Sequence, residues 1–341
     1  MSGRSEGTTT TTPARGVNAR RPAAYLVAGA VLALGGALLS GPAAVGGPAV
    51  LPSPSPQVGS GQAGSGPAPS APACTEVRES LRPQGPQPAP GAMPPGSTMA
   101  VIADRGRLVA GVDQGKFHAG YRNPLTGDLE GADIDIVRRI AAAIFGDPER
   151  VQYVVLNIAD RAAALERDQV DVVVNSFTVT CARQRQVEFS APYLPASQRL
   201  LVPVGSGIRE VEDLAGQTVC TSLGSTTEIV LRNLGLQVET LPGIPDCVLE
   251  LQHGRVAAVS SDDVILAGLA AQDPNTEVVG RALDSSRYAV GMRLDEPDLV
   301  RFVNGVLESA RDDGSLAASN QRWFAGLLDP VPLPAPPVYR D

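Results

Sequence analysis

Histidine is scarce in this chain and cysteine nearly so. The two histidines, His118 and His253, stand far apart, and the four cysteines, Cys74, Cys181, Cys220 and Cys247, contain no Cys-x-x-Cys pair. That spacing argues against a zinc site built from neighbouring Cys and His, so no metal and no cofactor are read from the residues. A basic block is missing from the body of the chain, and the net charge is −8, which excludes nucleic acid as a partner. Tryptophan occurs once, at Trp323. The cysteines form an even set, and in an exported chain two disulfides are the economical reading.

What is present is ample apolar chain. At 341 residues and 43% hydrophobic content, the sequence can build a large core or two lobes. Residues 1–22 are polar and basic. Residues 23–39, AAYLVAGAVLALGGALL, carry no charge and number about 17, the lower edge for a membrane-spanning helix. Basic residues before this run and none just after it set the N-terminus inside. The run is a signal anchor or a cleaved signal peptide, with the anchor preferred. No cysteine closes the run, and Cys74 lies too far along to be a lipoprotein cysteine. Residues 40–98, rich in Pro, Gly, Ser and Ala, read as a linker. Residues 329–341 read as a Pro-rich tail.

Between these ends, apolar runs of strand length alternate with segments of helical spacing, which predicts α/β architecture with parallel sheet. Strand patterns fall at 108–112, 151–156, 170–174, 187–189, 199–204, 218–221, 238–241, 256–259 and 288–292. Helical patterns fall at 133–145, with Asp133 as N-cap, and at 159–168, 229–234, 246–252, 295–311 and 315–328. The stretch 113–121, DQGKFHAGY, reads as a loop.

Three features suggest ligand chemistry. After the strand at 170–174 the chain turns to Ser176, Thr178, Thr180 and Arg183, and a guanidinium offers a planar fork of donors that matches a carboxylate. Taken alone, Arg183 is more economically a solvated arginine at a helix start. Gly224, Ser225 and Thr226 open a helix whose first amides suit an anion, although a hydroxyl N-cap is the commoner use of such residues. Asp262 and Asp263 follow a strand, where ligands bind in open α/β sheets. Of these two, Asp263 is assigned to capping the next helix.

Taken together, LVAGVDQG, LEGADIDIVRRIA, VDVVVNSFTVTCARQRQVEFSAPY, DLAGQTVCTSLGST, LQHGRVAAVSSDDVILAGL and VRFVNGVLESARDDGS resemble the polar amino-acid-binding proteins of bacterial uptake systems. These are two-lobed, periplasmic-type receptors, and the likeness covers nearly all of 107–328. The four cysteines, the CxxxxxSLRP motif from Cys74 and the ending PPVYRD are similar to a Gram-positive glutamate/glutamine-type subgroup linked to a soluble Ser/Thr kinase.

The resemblance implies a type II binding-protein fold with two mixed or parallel sheets. Lobe 1 would span 99–198 plus 285–328, and lobe 2 would span 199–284, with a hinge of two crossing strands near 199–204 and 288–292. It implies that Arg183 clamps the ligand α-carboxylate, with Thr178 assisting, and that the Ser176 carbonyl meets the ammonium. Gly224, Ser225 and Thr226 also hold the carboxylate, and Asp262 neutralises the ammonium. Phe117 or Tyr121 would stack on the ligand. Lys116 would meet a side-chain carboxylate, favouring glutamate or aspartate, with glutamine a possible ligand. Ala132 and Ala182 depart from the family pattern, which has an aromatic and an acid there. Implied disulfides join Cys74 with Cys181 and Cys220 with Cys247, one of three connectivities. The implied partner is an ABC-type permease or a membrane signalling protein linked to a Ser/Thr kinase. The rival readings are an enzyme on the same fold, such as a cyclic-acid dehydratase, which needs an acid or base in the cleft, and a receptor-like scaffold that no longer binds.

Overall fold

The computed structural model describes residues 76–341. The apolar run at 23–39, the linker up to residue 75 and Cys74 with its expected bridge lie outside the described residues. Cys181 is itself disulfide-bonded. Among the described residues no helix is long and apolar enough to cross a bilayer.

Part of the stretch expected to be linker is structured. It holds strand β1 (Ser80–Leu81), and helix α1 (Thr98–Arg105) starts near its end, capped by the Ser97 hydroxyl accepting from the Ala100 amide. Strand β2 (Leu108–Val112) follows and is buried throughout, as a central strand covered on both faces must be. The expected loop at 113–121 is instead a small antiparallel ladder of β3 (Gly115–Lys116), β4 (Gly120–Arg122) and β5 (Leu129–Glu130). His118, with φ of 67°, makes its turn.

Helix α2 (Ala132–Phe145) buries Ile134, Val137, Ile140, Ala141 and Ile144 at helical spacing. Its N-cap is Gly131, not Asp133. A Cβ on Gly131 would lie 2.3 Å from the Ala119 carbonyl oxygen, and its φ is +127°. Only glycine meets both demands. Strand β6 (Val151–Val155), helix α3 (Arg161–Glu166), β7 (Val172–Val173) and β8 (Glu188–Phe189) complete this half.

The next element was expected to start at residue 199 but begins five residues earlier. Strand β9 (Leu194–Pro203) alternates buried and half-buried from Leu194 to Arg199 before running continuously buried. Pro195 disguises this period of two in the sequence. Then come β10 (Thr218–Ser222), α4 (Thr226–Asn233), β11 (Gln237–Leu241), α5 (Ile244–Gln252), β12 (Ala258–Asp262), α6 (Asp263–Gln272), β13 (Thr276–Val279) and β14 (Ser285–Tyr288). Strand β13 has no counterpart in the sequence reading, because Thr276 and Glu277 break its apolar run. Cys220 on β10 and Cys247 on α5 are disulfide-bonded, and both are buried.

The chain returns through β15 (Gly291–Met292), α7 (Pro297–Asp312) and α8 (Ser315–Phe324), and ends on β16 (Tyr339–Arg340), which pairs parallel with β1. The pattern at 288–292 is thus two strands, broken at Ala289 and Val290.

Two large sheets give a two-lobed α/β fold. One has the order β6-β2-β7-β15-β8, and the other has β11-β10-β12-β9-β13 with β14 also paired to β9. The β9–β14 pair, with Leu194 opposite Tyr288 and Ser197 opposite Ser285, crosses between them. This crossing brings the end of β12 towards the turn after β7.

Candidate functional site

Both sheets deliver residues to one small cavity. It is lined by Lys116, Arg161, Ser176, Thr178, Arg183, Ser225, Thr226 and Asp262, with Thr227, Ser261, Ile158 and Ile265 completing the wall. Lys116, Arg161, Ser176, Thr178 and Arg183 come from the half built on β2 and β7. The others, Ile158 apart, come from the starts of α4 and α6.

The turn after β7 is shaped by a buried acid. Ser176 has φ of 46°, a left-handed conformation that side chains other than glycine's rarely take. Asp133, wholly buried, holds it there by accepting from the Ser176 amide at 2.7 Å and its hydroxyl at 3.1 Å. The Tyr193 hydroxyl donates to the other oxygen of Asp133 at 2.6 Å. Asp133 is therefore not a helix cap but the support of the site's turn. Burial raises its pKa, and the bond from Tyr193 and the nearby Lys116 oppose that rise.

Beneath the turn lies the ring of Phe177, with the guanidinium carbons of Arg161 and Arg183 at 4.2 and 5.2 Å from its centroid. Arg183 donates to the Thr178 carbonyl at 2.8 Å and across the cleft to the Gly224 carbonyl at 3.2 Å. Desolvation lowers the Arg183 pKa to about 10, and the charge of Asp262 opposes this, so the guanidinium stays charged at neutral pH. The Ser176 carbonyl, expected to meet an ammonium, accepts instead from Arg161 at 3.2 Å, and the Asn175 carbonyl accepts from Arg161 at 2.9 Å.

On the opposite wall, Ser225 caps α4 through a bond from the Glu228 amide, and the Glu228 carboxylate takes the Gly224 amide. The amides of Thr226 and Thr227, in the first turn, have no partner within a helix, and the helix dipole makes this end positive. Asp262, 6% exposed, stands at the N-cap position of α6 but makes no capping bond. Its carboxylate accepts from the Tyr288 hydroxyl at 2.5 Å and from the Ser286 hydroxyl at 3.2 Å. Asp263 receives the Val264 amide and also the Ser197 amide of β9, so it joins helix start to crossing strand rather than simply capping. Burial raises the Asp262 pKa, which the bonds from Tyr288 and Ser286 partly offset.

A ligand ammonium placed here, as the resemblance implies, would need the ionised form of Asp262. Affinity is therefore expected to fall as pH drops through this raised pKa, at a higher pH than the ~4 of ordinary carboxyls. Titrating affinity downwards from neutral pH checks it, and Asp262→Asn should flatten the profile.

Lys116 is the only lysine in the chain and is 1% exposed, which no solvated lysine would be. It donates to Asn175 Oδ1 at 2.6 Å and pairs with Asp113 at 3.1 Å. Phe117 does not line the cavity. Its ring lies tilted against His118 at 4.0 Å and edge-on to Tyr121 at 4.8 Å, in a cluster that reaches Trp323. The Tyr121 hydroxyl donates to Glu130. Neither aromatic is placed as a ligand-stacking ring, because β3 and β4 pair and turn this face towards α8. His118 is half-buried, and its ring nitrogen meets the Trp323 carbonyl at 2.5 Å. Glu188 is held by Arg78 and Arg340, and Glu228 by Arg232, so neither serves as a cleft acid.

Sequence reasoning did not single out Arg161, Phe177, Asn175, Tyr193 or Tyr288. Arg161 has no mark of its own, since it opens an ordinary helix pattern. Among the described residues no group of His, Cys, Asp and Glu is placed to hold a metal ion.

The family model of bacterial extracellular solute-binding proteins, family 3, matches residues 108–326. The ABC transporter glutamine-binding protein GlnH of Bacillus subtilis is 30% identical over 230 residues, covering 67% of this chain and 84% of that protein. The glutamate/aspartate import solute-binding protein of Salmonella typhimurium is 26% identical over 255 residues, covering 71% and 84%. Among solved structures, a mutant of the T. maritima protein ArgBP matches with a TM-score of 0.62 and 27% identity, covering 67% of this chain and 99% of that one.

Proposed function

This chain belongs to family 3 of the bacterial extracellular solute-binding proteins, and from that premise we propose that it is a receptor for an acidic amino acid, glutamate or aspartate. The family binds solutes and is not enzymatic, so the chain is no enzyme.

The observation that carries the ligand reading is the charge of the cavity wall. The lining holds three cations, Lys116, Arg161 and Arg183, and one anion, Asp262. Asp113 pairs with Lys116 at 3.1 Å. An amino-acid zwitterion would satisfy Arg183 with its carboxylate and Asp262 with its ammonium. Arg161 would remain, a buried guanidinium whose hydrogen bonds go to carbonyl groups and to no carboxylate. A second carboxylate on the ligand neutralises it, whereas glutamine leaves it charged.

Binding proceeds by closure of the lobes around the crossing strands β9 and β14. The two halves meet backbone to backbone at points with no room to spare. A Cβ on Gly268 of α6 would lie 2.4 Å from the Phe117 carbonyl oxygen, and one on Gly224 would lie 3.2 Å from the Ala159 backbone. Gly268→Val is expected to hold the lobes apart. It should weaken ligand binding at least tenfold while leaving each lobe folded, and small-angle scattering with and without ligand reads the lost compaction.

Closure presents the bound state to a membrane partner, an ABC-type permease or a signalling protein coupled to a Ser/Thr kinase. The receptor works on the outer face of the membrane, anchored if the apolar run at 23–39 is retained and secreted if it is cleaved.

A calorimetric titration against free amino acids tests the reading. One-to-one binding of glutamate or aspartate near micromolar, about −8 kcal/mol, with weaker glutamine, is the expected result. A raised melting temperature with the same ligands accompanies it. A flat titration with every amino acid removes the proposal and favours the non-binding scaffold.

A further inference from the structure

The turn that carries Arg183 is gripped from behind by a segment belonging to neither large sheet. Residues 76–82 run along the back of this turn. There the Gln184 side chain, 6% exposed, bonds to the main chain of Arg78 at both ends. The Arg78 amide donates to Gln184 Oε1 at 2.7 Å, and Gln184 Nε2 donates to the Arg78 carbonyl at 2.7 Å. The Arg78 guanidinium adds a bond to the Gln184 carbonyl at 2.8 Å and an ion pair with Glu188 at 3.2 Å.

The segment itself is fastened further along. Ser80 donates to the Phe189 carbonyl and accepts from Asn304, which also bonds to the Leu81 carbonyl. The β1–β16 pairing and the Arg340–Glu188 ion pair tie it to the chain's far end.

We propose that residues 76–82 are a strap that positions the ligand clamp, with Gln184 as its positioning residue. Arg183 and Gln184 are adjacent on one 3-10 turn, Arg183–Arg185. One side chain faces the cavity and the next is bolted to the strap. Fixing Gln184 therefore fixes the direction of the guanidinium, and a clamp held in its binding direction loses less freedom when the ligand arrives. The segment before the first lobe is then a working part of the site and not only a tether. The inference rests on the amino-acid-receptor reading above.

The test uses the full chain and two readouts: glutamate affinity, and amide hydrogen exchange in ligand-free protein. Gln184→Ala is expected to weaken glutamate binding roughly tenfold, as losing a pair of buried hydrogen bonds implies. It should also speed exchange at Gln184, Gln186 and Val187, whose amides bond within this turn. Gln184→Glu keeps the acceptor for the Arg78 amide and should restore part of the affinity. Ser80→Ala loosens the strap further along and should shift both readouts in the same direction by less than Gln184→Ala does. Unchanged exchange at these three amides in Gln184→Ala overturns the proposal, and so does unchanged glutamate affinity in that variant. If the unmodified chain binds no amino acid, the receptor reading fails and the exchange arm still decides the strap. If Gln184→Ala does not fold, Arg78→Ala takes its place: it removes the bonds to the Gln184 carbonyl and to Glu188 but keeps the two Gln184 side-chain bonds, so smaller changes in the same direction are expected, and none at all overturns the proposal.

Discussion

Arg183→Ala is expected to weaken glutamate binding by about 2–5 kcal/mol, roughly 30-fold to several thousand-fold in Kd. The size follows from where the guanidinium sits. It stands over Phe177 with its pKa lowered by desolvation to about 10, so water screens it poorly. A carboxylate that meets it gains a charge-assisted fork, and once it is gone the buried carboxylate has no equal replacement. The fold should survive, because Arg183 is only partly buried and its two hydrogen bonds go to the Thr178 and Gly224 carbonyls at the cleft. Arg183→Lys keeps the charge but loses the fork, and its affinity should fall between the two. Calorimetry gives the Kd values, and a melting curve of the ligand-free variant checks the fold. Binding by Arg183→Ala within about threefold of the unmodified chain would remove Arg183 from the site.

Much of this arrangement was legible before any coordinates. The alternation of strand and helix, Arg183 at the turn after β7, the hydroxyl-rich start of α4 and Asp262 at the end of β12 are local patterns. A strand's end and a helix's start fall where ligands bind in α/β sheets. What stayed hidden depends on pairing between distant segments. Phe117 looks like a ligand-facing aromatic until β3 and β4 pair and turn it into the cluster with His118 and Tyr121. Asp133 looks like a helix cap, a role that needs only its neighbours. Its actual partners, Ser176 and Tyr193, lie 43 and 60 residues away. Residues 76–82 read as linker because their composition is polar and Pro-flanked. Their order comes from Gln184, Asn304 and a strand more than 250 residues downstream.

The same dependence on distant pairing explains how the site holds buried charges of both signs. Asp262 is quieted by Tyr288 and Ser286 on β14, Lys116 by Asp113 and Asn175, and Arg183 by carbonyls from both halves. Each charge is buried with a partner, as burial requires. Arg161, like Arg183, hydrogen-bonds only to carbonyls, but where the charge of Asp262 acts on Arg183, the acid acting on Arg161 is Asp113, already paired with Lys116. The Arg161 Nε and Nη1 bond to the carbonyls of Ile158, Asn175 and Ser176, and none of the hydrogen bonds among the described residues uses its Nη2.

That imbalance sets the second large effect, on selectivity. Arg161→Gln should weaken glutamate by about 1.5–3 kcal/mol, the usual worth of a hydrogen bond to a charged group, or roughly 10- to 150-fold in Kd. Glutamine should change by only a few fold, so the preference between the two ligands narrows or reverses. The ratio of affinities is the quantity to measure, because Arg161 is 2% exposed and supports three carbonyls as well. Losing that support loosens the turn for both ligands alike and cancels in the ratio. Arg161→Lys keeps the positive charge and should keep most of the preference for glutamate, even where overall affinity falls. Desolvation by burial lowers the Arg161 pKa, and a second carboxylate at this point opposes that by stabilising the charged form. If Arg161→Gln lowers both affinities by the same factor, Arg161 is scaffolding for the turn and the acidic preference must have another source.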